Sequence, residues 1–295
     1  MTIKPYRIFA IGETLWDMLP NGKKVGGAPG NFAYHCRQLG ANADVVSAVG
    51  EDELGRELLA FYRSVGLSTQ SIVIDSQHPT GAVDVVLTEE KKAIYTFRSN
   101  VAWDHLHANE ETLSALYRTD AICYGTLAGR GKESFEELKK MIAAVPKTAL
   151  KVFDLNLRKP HYTKETVMEF LALSDVFKLN DEEVLIICDM LGWRHADVRE
   201  QAKRLMDEYN FQLLMLTLGE QGSVLITANE ISECHSVPVN VIDTVGAGDA
   251  FAAATLIGFL DGKTLDKINQ NASDYAAYIC TQPGGMPQIQ TPFSF

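Results

Sequence analysis

The segment Asp243-Thr244-Val245-Gly246-Ala247-Gly248-Asp249-Ala250-Phe251 runs into the small-residue stretch Ala252-Ala253-Ala254. Glycine and alanine at a helix start leave successive backbone N–H groups uncovered. Those donors and the helix dipole form a hole for an anion the size of a phosphate. Asp249 falls in the first turn of that helix, beside the hole. An acidic residue there also serves simply to offset the helix dipole. A carboxylate next to a phosphate is otherwise unfavourable, unless it takes a proton from a hydroxyl attacking phosphorus. No G-x-x-x-x-G-K-[ST] occurs in the chain, so this is not a Walker loop.

A second small-residue segment, Gly26-Gly27-Ala28-Pro29-Gly30-Asn31-Phe32-Ala33, precedes a helical pattern. Taken alone it is a flexible turn with an Asn N-cap. Asn180 and Glu183 have the spacing of a capping box. Arg158, in Asp154-Leu155-Asn156-Leu157-Arg158, is placed either to reach a ligand or to pair with Asp154.

These residues need a scaffold, and short apolar runs alternating with amphipathic segments supply one. Strands are predicted at 8–11, 44–48, 121–124, 151–154, 176–179, 213–217 and 223–227. Helices are predicted at 30–39, 54–65, 110–117, 133–144, 163–171, 181–188, 197–209, 247–260 and 264–280. In the penultimate strand–helix unit, Val198, Ala202, Leu205, Met206 and Tyr209 fall on one helical face. Such alternation favours a mostly parallel sheet covered by helices on both sides. Two places break it. The runs 15–19 and 23–25 flank Pro20-Asn21-Gly22, and 82–87 and 93–97 flank the polar run 88–92. Four short strands of this kind read as a small separate sheet acting as a lid, or else as two surface hairpins.

Composition narrows the class. The 295 residues are 46% apolar and 22% charged with a formal net charge of −11, which argues against a nucleic-acid or membrane-surface binder. Five scattered cysteines without a C-x-x-C pair suggest small core residues in a reducing compartment. The start of the chain has too short an apolar run for a signal peptide, and the most apolar stretch, 250–260, is too short to span a bilayer. These features predict a soluble, cytoplasmic protein. His105 and His107 have no third ligand nearby in sequence and are read as surface or loop residues.

Gly27-x-x-Gly30-Asn31-x-Ala33, followed by Gly40 and Gly50, resembles the N-terminal signature of the ribokinase-type (PfkB) carbohydrate kinases. Asp243-Thr244-x-Gly246-Ala247-Gly248-Asp249-x-Phe251 resembles their C-terminal signature. Between them, Gly50-Glu51-Asp52-x-Leu54-Gly55, Asp154-x-Asn156-x-Arg158, Asn180-x-x-Glu183 and Thr217-x-Gly219 with Gly222 are similar to further family motifs, in the right order. Val245 stands where Thr is common and Leu155 where Pro is frequent; neither touches the proposed chemistry.

The resemblance implies an α/β fold, a ribokinase-like three-layer α/β/α sandwich with a mainly parallel central sheet. Residues 1–295 would form one kinase domain, with lid segments near 13–26 and 80–98. It implies transfer of the ATP γ-phosphate to a sugar hydroxyl, with Asp249 as general base and the N–H groups of Gly246, Ala247 and Gly248 holding the transferring phosphoryl group. Asn180 and Glu183 correspond to the pair that organises Mg²⁺, Glu183 through water. Thr217, Gly219, Gly222 and Asn271 correspond to nucleotide-binding positions. For the sugar, Asp17 is placed to accept hydrogen bonds from two neighbouring hydroxyls, with Gly27, Asn31, Arg98 and Arg158 around it. K⁺ is a further candidate cofactor, and a homodimer through the lid the candidate assembly.

Fructose is the favoured acceptor, on the cues Gly12-Glu13, Gly27-Ala28-Pro29-Gly30-Asn31 and Phe97-Arg98. 2-Keto-3-deoxygluconate, ribose or a nucleoside are alternatives within the family. A non-catalytic sugar or nucleotide sensor is the alternative outside it, and predicts loss of the base or the hole. A dinucleotide oxidoreductase fails because residues 26–31 are not G-x-G-x-x-G after a strand.

Overall fold

The computed structural model describes residues 5–20, 22–87, 93–194 and 197–289. Its frame is a nine-stranded sheet in the order β13-β12-β11-β10-β9-β8-β1-β4-β5. These strands are β1 (Arg7–Ile11), β4 (Asn42–Gly50), β5 (Ile72–Asp75), β8 (Ala121–Gly125), β9 (Leu150–Asp154), β10 (Val176–Asn180), β11 (Leu213–Thr217), β12 (Ser223–Ile226) and β13 (Ile231–Cys234). Pairing is parallel from β5 through β11 and antiparallel for β12 and β13. Strands buried on both faces divide their side chains between two cores. In β1, Ile8 and Ala10 join one cluster while Phe9 and Ile11 join the other.

The first core lies under α1 (Ala28–Gln38), α2 (Glu53–Ser64), α8 (Ala247–Leu260) and α9 (Leu265–Cys280). The second lies under α3 (Glu110–Leu116), α4 (Lys132–Ala144), α5 (Lys164–Leu173), α6 (Asp181–Leu191) and α7 (Val198–Tyr209). Three layers result, as the alternation predicted. Sequence reading missed β5 and β13, each only four residues long.

The two hairpins are not separate surface features. β2 (Leu15–Leu19), β3 (Gly22–Gly26), β6 (Gly81–Leu87) and β7 (Ala93–Phe97) form one sheet in the order β3-β2-β6-β7, joined by parallel pairing of β2 with β6. Leu15, Val83 and Val85 give it a small core of its own. Asn21 and the polar run 88–92, with Lys91 and Lys92, lie outside the described residues.

The five cysteines are free, and four are buried. Among the described residues no helix is long and apolar enough to cross a membrane. His105 is not an isolated surface residue: its ring stacks on His78 at 3.6 Å, and the two rings carry Glu133 and Asp75 as partners.

Candidate active site

Helix α8 is buried along almost its whole length, and Gly246 caps it in a left-handed conformation (φ 80°) that glycine adopts without strain. Asp249 stands in its first turn and accepts a hydrogen bond of 2.8 Å from Asn31 Nδ2, on the neighbouring helix α1. The two signature segments, 218 residues apart, therefore meet at one carboxylate. Ala247 departs from the expectation of three open donors. Its N–H closes a turn on the Thr244 carbonyl at 3.3 Å, whereas no such backbone bond engages Gly246 or Gly248 among the described residues.

The electrostatics around Asp249 are unusual. Burial and the nearby Asp154 carboxylate push its carboxyl up to about 7, against the opposing pull of Lys178, Asn31 and Arg158. Lys178, which sequence reasoning missed, lies beneath the hole: a Cβ on Gly248 would stand 3.4 Å from its ammonium. Its Nζ donates to Asp154 Oδ1 at 3.0 Å, both side chains being under a tenth exposed. Burial pulls the Lys178 ammonium down, but the charges of Asp154, Glu183 and Asp249 outweigh it and hold Lys178 protonated. The signal was present in Val176-Phe177-Lys178-Leu179-Asn180, since a lysine inside a buried strand demands a buried counter-charge. Asp154 is thus taken by Lys178, and Arg158 does not pair with it. Arg158 is exposed, and its Nη1 donates to the Leu157 carbonyl at 3.1 Å.

Glu13, which the sequence offered only as a cue to the acceptor, is a second buried carboxyl. It is 4% exposed, its Oε1 accepts from Ala28 N at 3.3 Å, and its Oε2 has no partner. Burial pushes this carboxyl to about 7, opposed by its hydrogen bonds from backbone amides and by Arg158. Gly27, just before α1, has φ 109°, and a Cβ there would stand 2.6 Å from the Glu13 carbonyl oxygen. Only glycine fits that crossing. Asp17 projects from lid strand β2, where burial raises its pKa against the pull of Arg158 and Lys24. Arg98 follows lid strand β7 and is held by Asp84 in a two-pronged pair, at 3.0 and 2.8 Å.

Of the positions expected to meet the nucleotide, Asn180 and Thr217 end β10 and β11, and Gly219 and Gly222 follow β11, at the carboxyl ends of the strands where ligand sites lie in open α/β sheets. Asn180 lies opposite Thr217 in the β10–β11 register. Asn180 and Glu183 form the expected capping box at 2.8 and 2.9 Å, and Glu183 Oε1 also accepts from Leu157 N at 2.8 Å. Each Glu183 oxygen already holds one amide, which suits ordering of metal-bound waters better than direct ligation. Gly219 (φ 56°) and Gly222 (φ 107°) shape the turn after β11, and a side chain on Gly222 would collide with the Cys234 carbonyl. Asn271, on α9, has a buried Nδ2 without a partner. No group of three or more His, Cys, Asp or Glu side chains suited to a metal occurs among the described residues.

The profile of the pfkB family carbohydrate kinases matches residues 14–292. The chain belongs to this family. A protein of Pyrococcus horikoshii named as a sugar kinase is 29% identical, with 94% of this chain and 91% of that one covered. Its crystal structure in complex with ATP superposes with a TM-score of 0.81 at 28% identity, over 95% of this chain and 94% of that one. Fructokinase-1 of Zea mays is 27% identical over 96% of this chain and 94% of its own. The 2-dehydro-3-deoxygluconokinase of Thermotoga maritima reaches a TM-score of 0.81 at 21% identity, covering 96% of each chain, and so shares the fold. Family membership makes this chain a sugar kinase and leaves the acceptor open.

Proposed function

We propose that this kinase, acting as a single domain with the four-stranded sheet as its lid, transfers the ATP γ-phosphate to a hydroxyl of a neutral ketose, with fructose the first candidate. The observation that carries the reading is the Asn31–Asp249 hydrogen bond beside the hole. Asp249 accepts the hydroxyl proton as the sugar oxygen attacks the γ-phosphorus. The bond from phosphorus to the β,γ-bridging oxygen breaks, and ADP leaves. The amides at the start of α8 stabilise the charge on the transferring group, each well-aimed donor contributing about 3 kcal/mol. Lys178 adds a fixed positive charge beneath them. Mg²⁺, its waters held by Asn180 and Glu183, would shield the triphosphate. Thr217, Gly219, Gly222 and Asn271 bound the nucleotide side. Asp17 and Asn31 receive the acceptor hydroxyls.

A coupled ADP-release assay over a sugar panel tests this. Fructose should show a kcat/KM at least about tenfold above fructose 6-phosphate, a gap of about 1.4 kcal/mol. Asp17→Ala should remove most of that activity. A second reading, 2-keto-3-deoxygluconate, is favoured by Arg158, whose exposed guanidinium forms no ion pair among the described residues and so is open to a carboxylate. A better turnover of that acid would replace fructose and leave the kinase assignment standing. A sensor function is disfavoured because Asp249 and Gly246-Ala247-Gly248 are all present in the sequence. A cytoplasmic location, K⁺ stimulation and a homodimer through the lid belong to the same proposal. Assays in KCl against NaCl and sedimentation velocity test the last two.

A further inference from the structure

Helix α1 carries a buried histidine that the reaction scheme leaves unused. His35 has no exposed surface, and its two ring nitrogens are both engaged. Nε2 lies 3.0 Å from the Gly285 carbonyl oxygen, and Nδ1 lies 2.9 Å from the Tyr275 hydroxyl. A carbonyl only accepts, so Nε2 bears the hydrogen. Nδ1 of the neutral ring is then an acceptor, and the Tyr275 O–H donates to it. Burial holds the imidazole neutral, with its pKa lowered to about 3.

Gly285 is where this matters. On one side its backbone packs against Gly246: a Cβ on Gly246 would stand 2.6 Å from Gly285 Cα. On the other it packs against Asn31, whose Oδ1 would lie 2.5 Å from a Cβ on Gly285. Asn31 and His35 are four residues apart on α1, so they share one helical face. Tyr34 OH also donates to the Pro287 carbonyl, and Asp243 Oδ2 accepts from Gly284 N at 3.0 Å. The segment 284–287 is thus clamped between α1 and the loop that forms the hole.

We infer that His35 is a positioning residue for phosphoryl transfer: its Nε2–H fixes Gly285, and Gly285 backs Gly246 so that the α8 amides aim at the transferring phosphoryl group. The inference rests on the proposed role of that hole. Hydrogen bonds to developing charge fall off steeply with misalignment, so a backing that shifts weakens the transition state more than either ground-state complex.

Three variants test it, assayed with the best acceptor of the sugar panel. His35→Phe keeps the ring and loses both bonds. His35→Gln keeps an amide donor for Gly285. Tyr275→Phe removes the hydroxyl that meets Nδ1 and leaves the Nε2 bond to Gly285 in place. His35→Phe should lower kcat about tenfold or more, while KM for sugar and ATP stays within about twofold. It should weaken binding of ADP–aluminium fluoride plus sugar by a similar factor and leave binding of a non-hydrolysable ATP analogue unchanged. His35→Gln should retain kcat within about threefold, and Tyr275→Phe should match the parent. A folded His35→Phe with parental kcat overturns the inference. So does a tenfold loss in His35→Gln, which decides the matter if His35→Phe does not fold. Asp249→Asn separates the two levels: retained turnover there removes the general-base reading, whereas lost turnover with an active His35→Phe removes only this inference.

Discussion

Lys178 and Asp154 stand directly opposite each other on adjacent strands β10 and β9, their charges 3.0 Å apart and closed off from solvent beneath the α8 turn. Removing one partner of such a pair strands a buried charge, at a cost of about 3–5 kcal/mol. Lys178→Met should therefore lower the urea-unfolding free energy by roughly that amount. The double variant Asp154→Asn/Lys178→Met should recover most of it while remaining slow in turnover. A fully active double variant would show that the lysine charge takes no part in the reaction.

Asp249→Asn should keep the fold and ATP binding yet lose about 10²–10⁴ in turnover, the usual worth of a positioned base. Because Asp249 titrates at about 7, kcat/KM of the parent should climb as pH rises through that value and then level off. A flat profile between pH 6 and 8 would remove Asp249 from the proton transfer.

Stability should move the other way. Glu13 and Asp249 both have folded-state pKa values near 7, well above those of an unfolded carboxylate. The native state therefore holds these protons more tightly, and their contribution is lost as pH rises through about 7. Thermal melts should show Tm falling from pH 5 to pH 8. Glu13→Gln removes one of the two groups and should flatten the fall. Identical slopes for parent and variant would mean that Glu13 ionises normally.

Gly222→Ala and Gly40→Ala separate strain from collision. Both glycines have positive φ, 107° and 90°, but only Gly222 has a backbone neighbour in the way. Gly40→Ala should cost about 1–2 kcal/mol from backbone conformation alone. Gly222→Ala should cost more and should also weaken ATP binding, because the turn after β11 must open. Equal losses in denaturant melts would leave the Cys234 contact without weight.

Hydrogen exchange reports on the small sheet. Amides of β2, β3 and β6 should exchange more slowly with saturating sugar, as the sheet closes over the acceptor and excludes water. Unchanged exchange at saturation would make it a passive support.

Much of this architecture was legible because its cause is local. Alternating strand and helix patterns, the Asn180–Glu183 capping box and the small residues before α8 each act within a few positions. The lid hairpins were visible through Pro20 and Gly22, but their union through parallel β2–β6 pairing was not, since it joins strands some sixty residues apart and leaves no mark in either. Ile72–Asp75 and Ile231–Cys234 are too short to show a period. Lys178 was readable as an anomaly within an apolar strand, whereas nothing local reveals that Asp84 pairs with Arg98. The role of His35 was hidden for a different reason: its partner stands 250 positions away.

That separation gives the molecule a schedule. Ribosomes add about 5–20 residues per second, so α1 emerges roughly 10–50 s before Gly285 exists to receive His35. Throughout that interval His35 Nε2 and the Tyr34 hydroxyl on α1 lack their native carbonyl partners, although Asp249 and Tyr275 are made earlier to meet Asn31 and His35 Nδ1. A chain halted after α9 but before Gly284 would hold Asp249, Lys178 and every residue of the lid, yet lack the piece that braces the turn before α8. Catalytic competence would then arrive only once residues 284–287 had been made, whatever part of the fold had already formed.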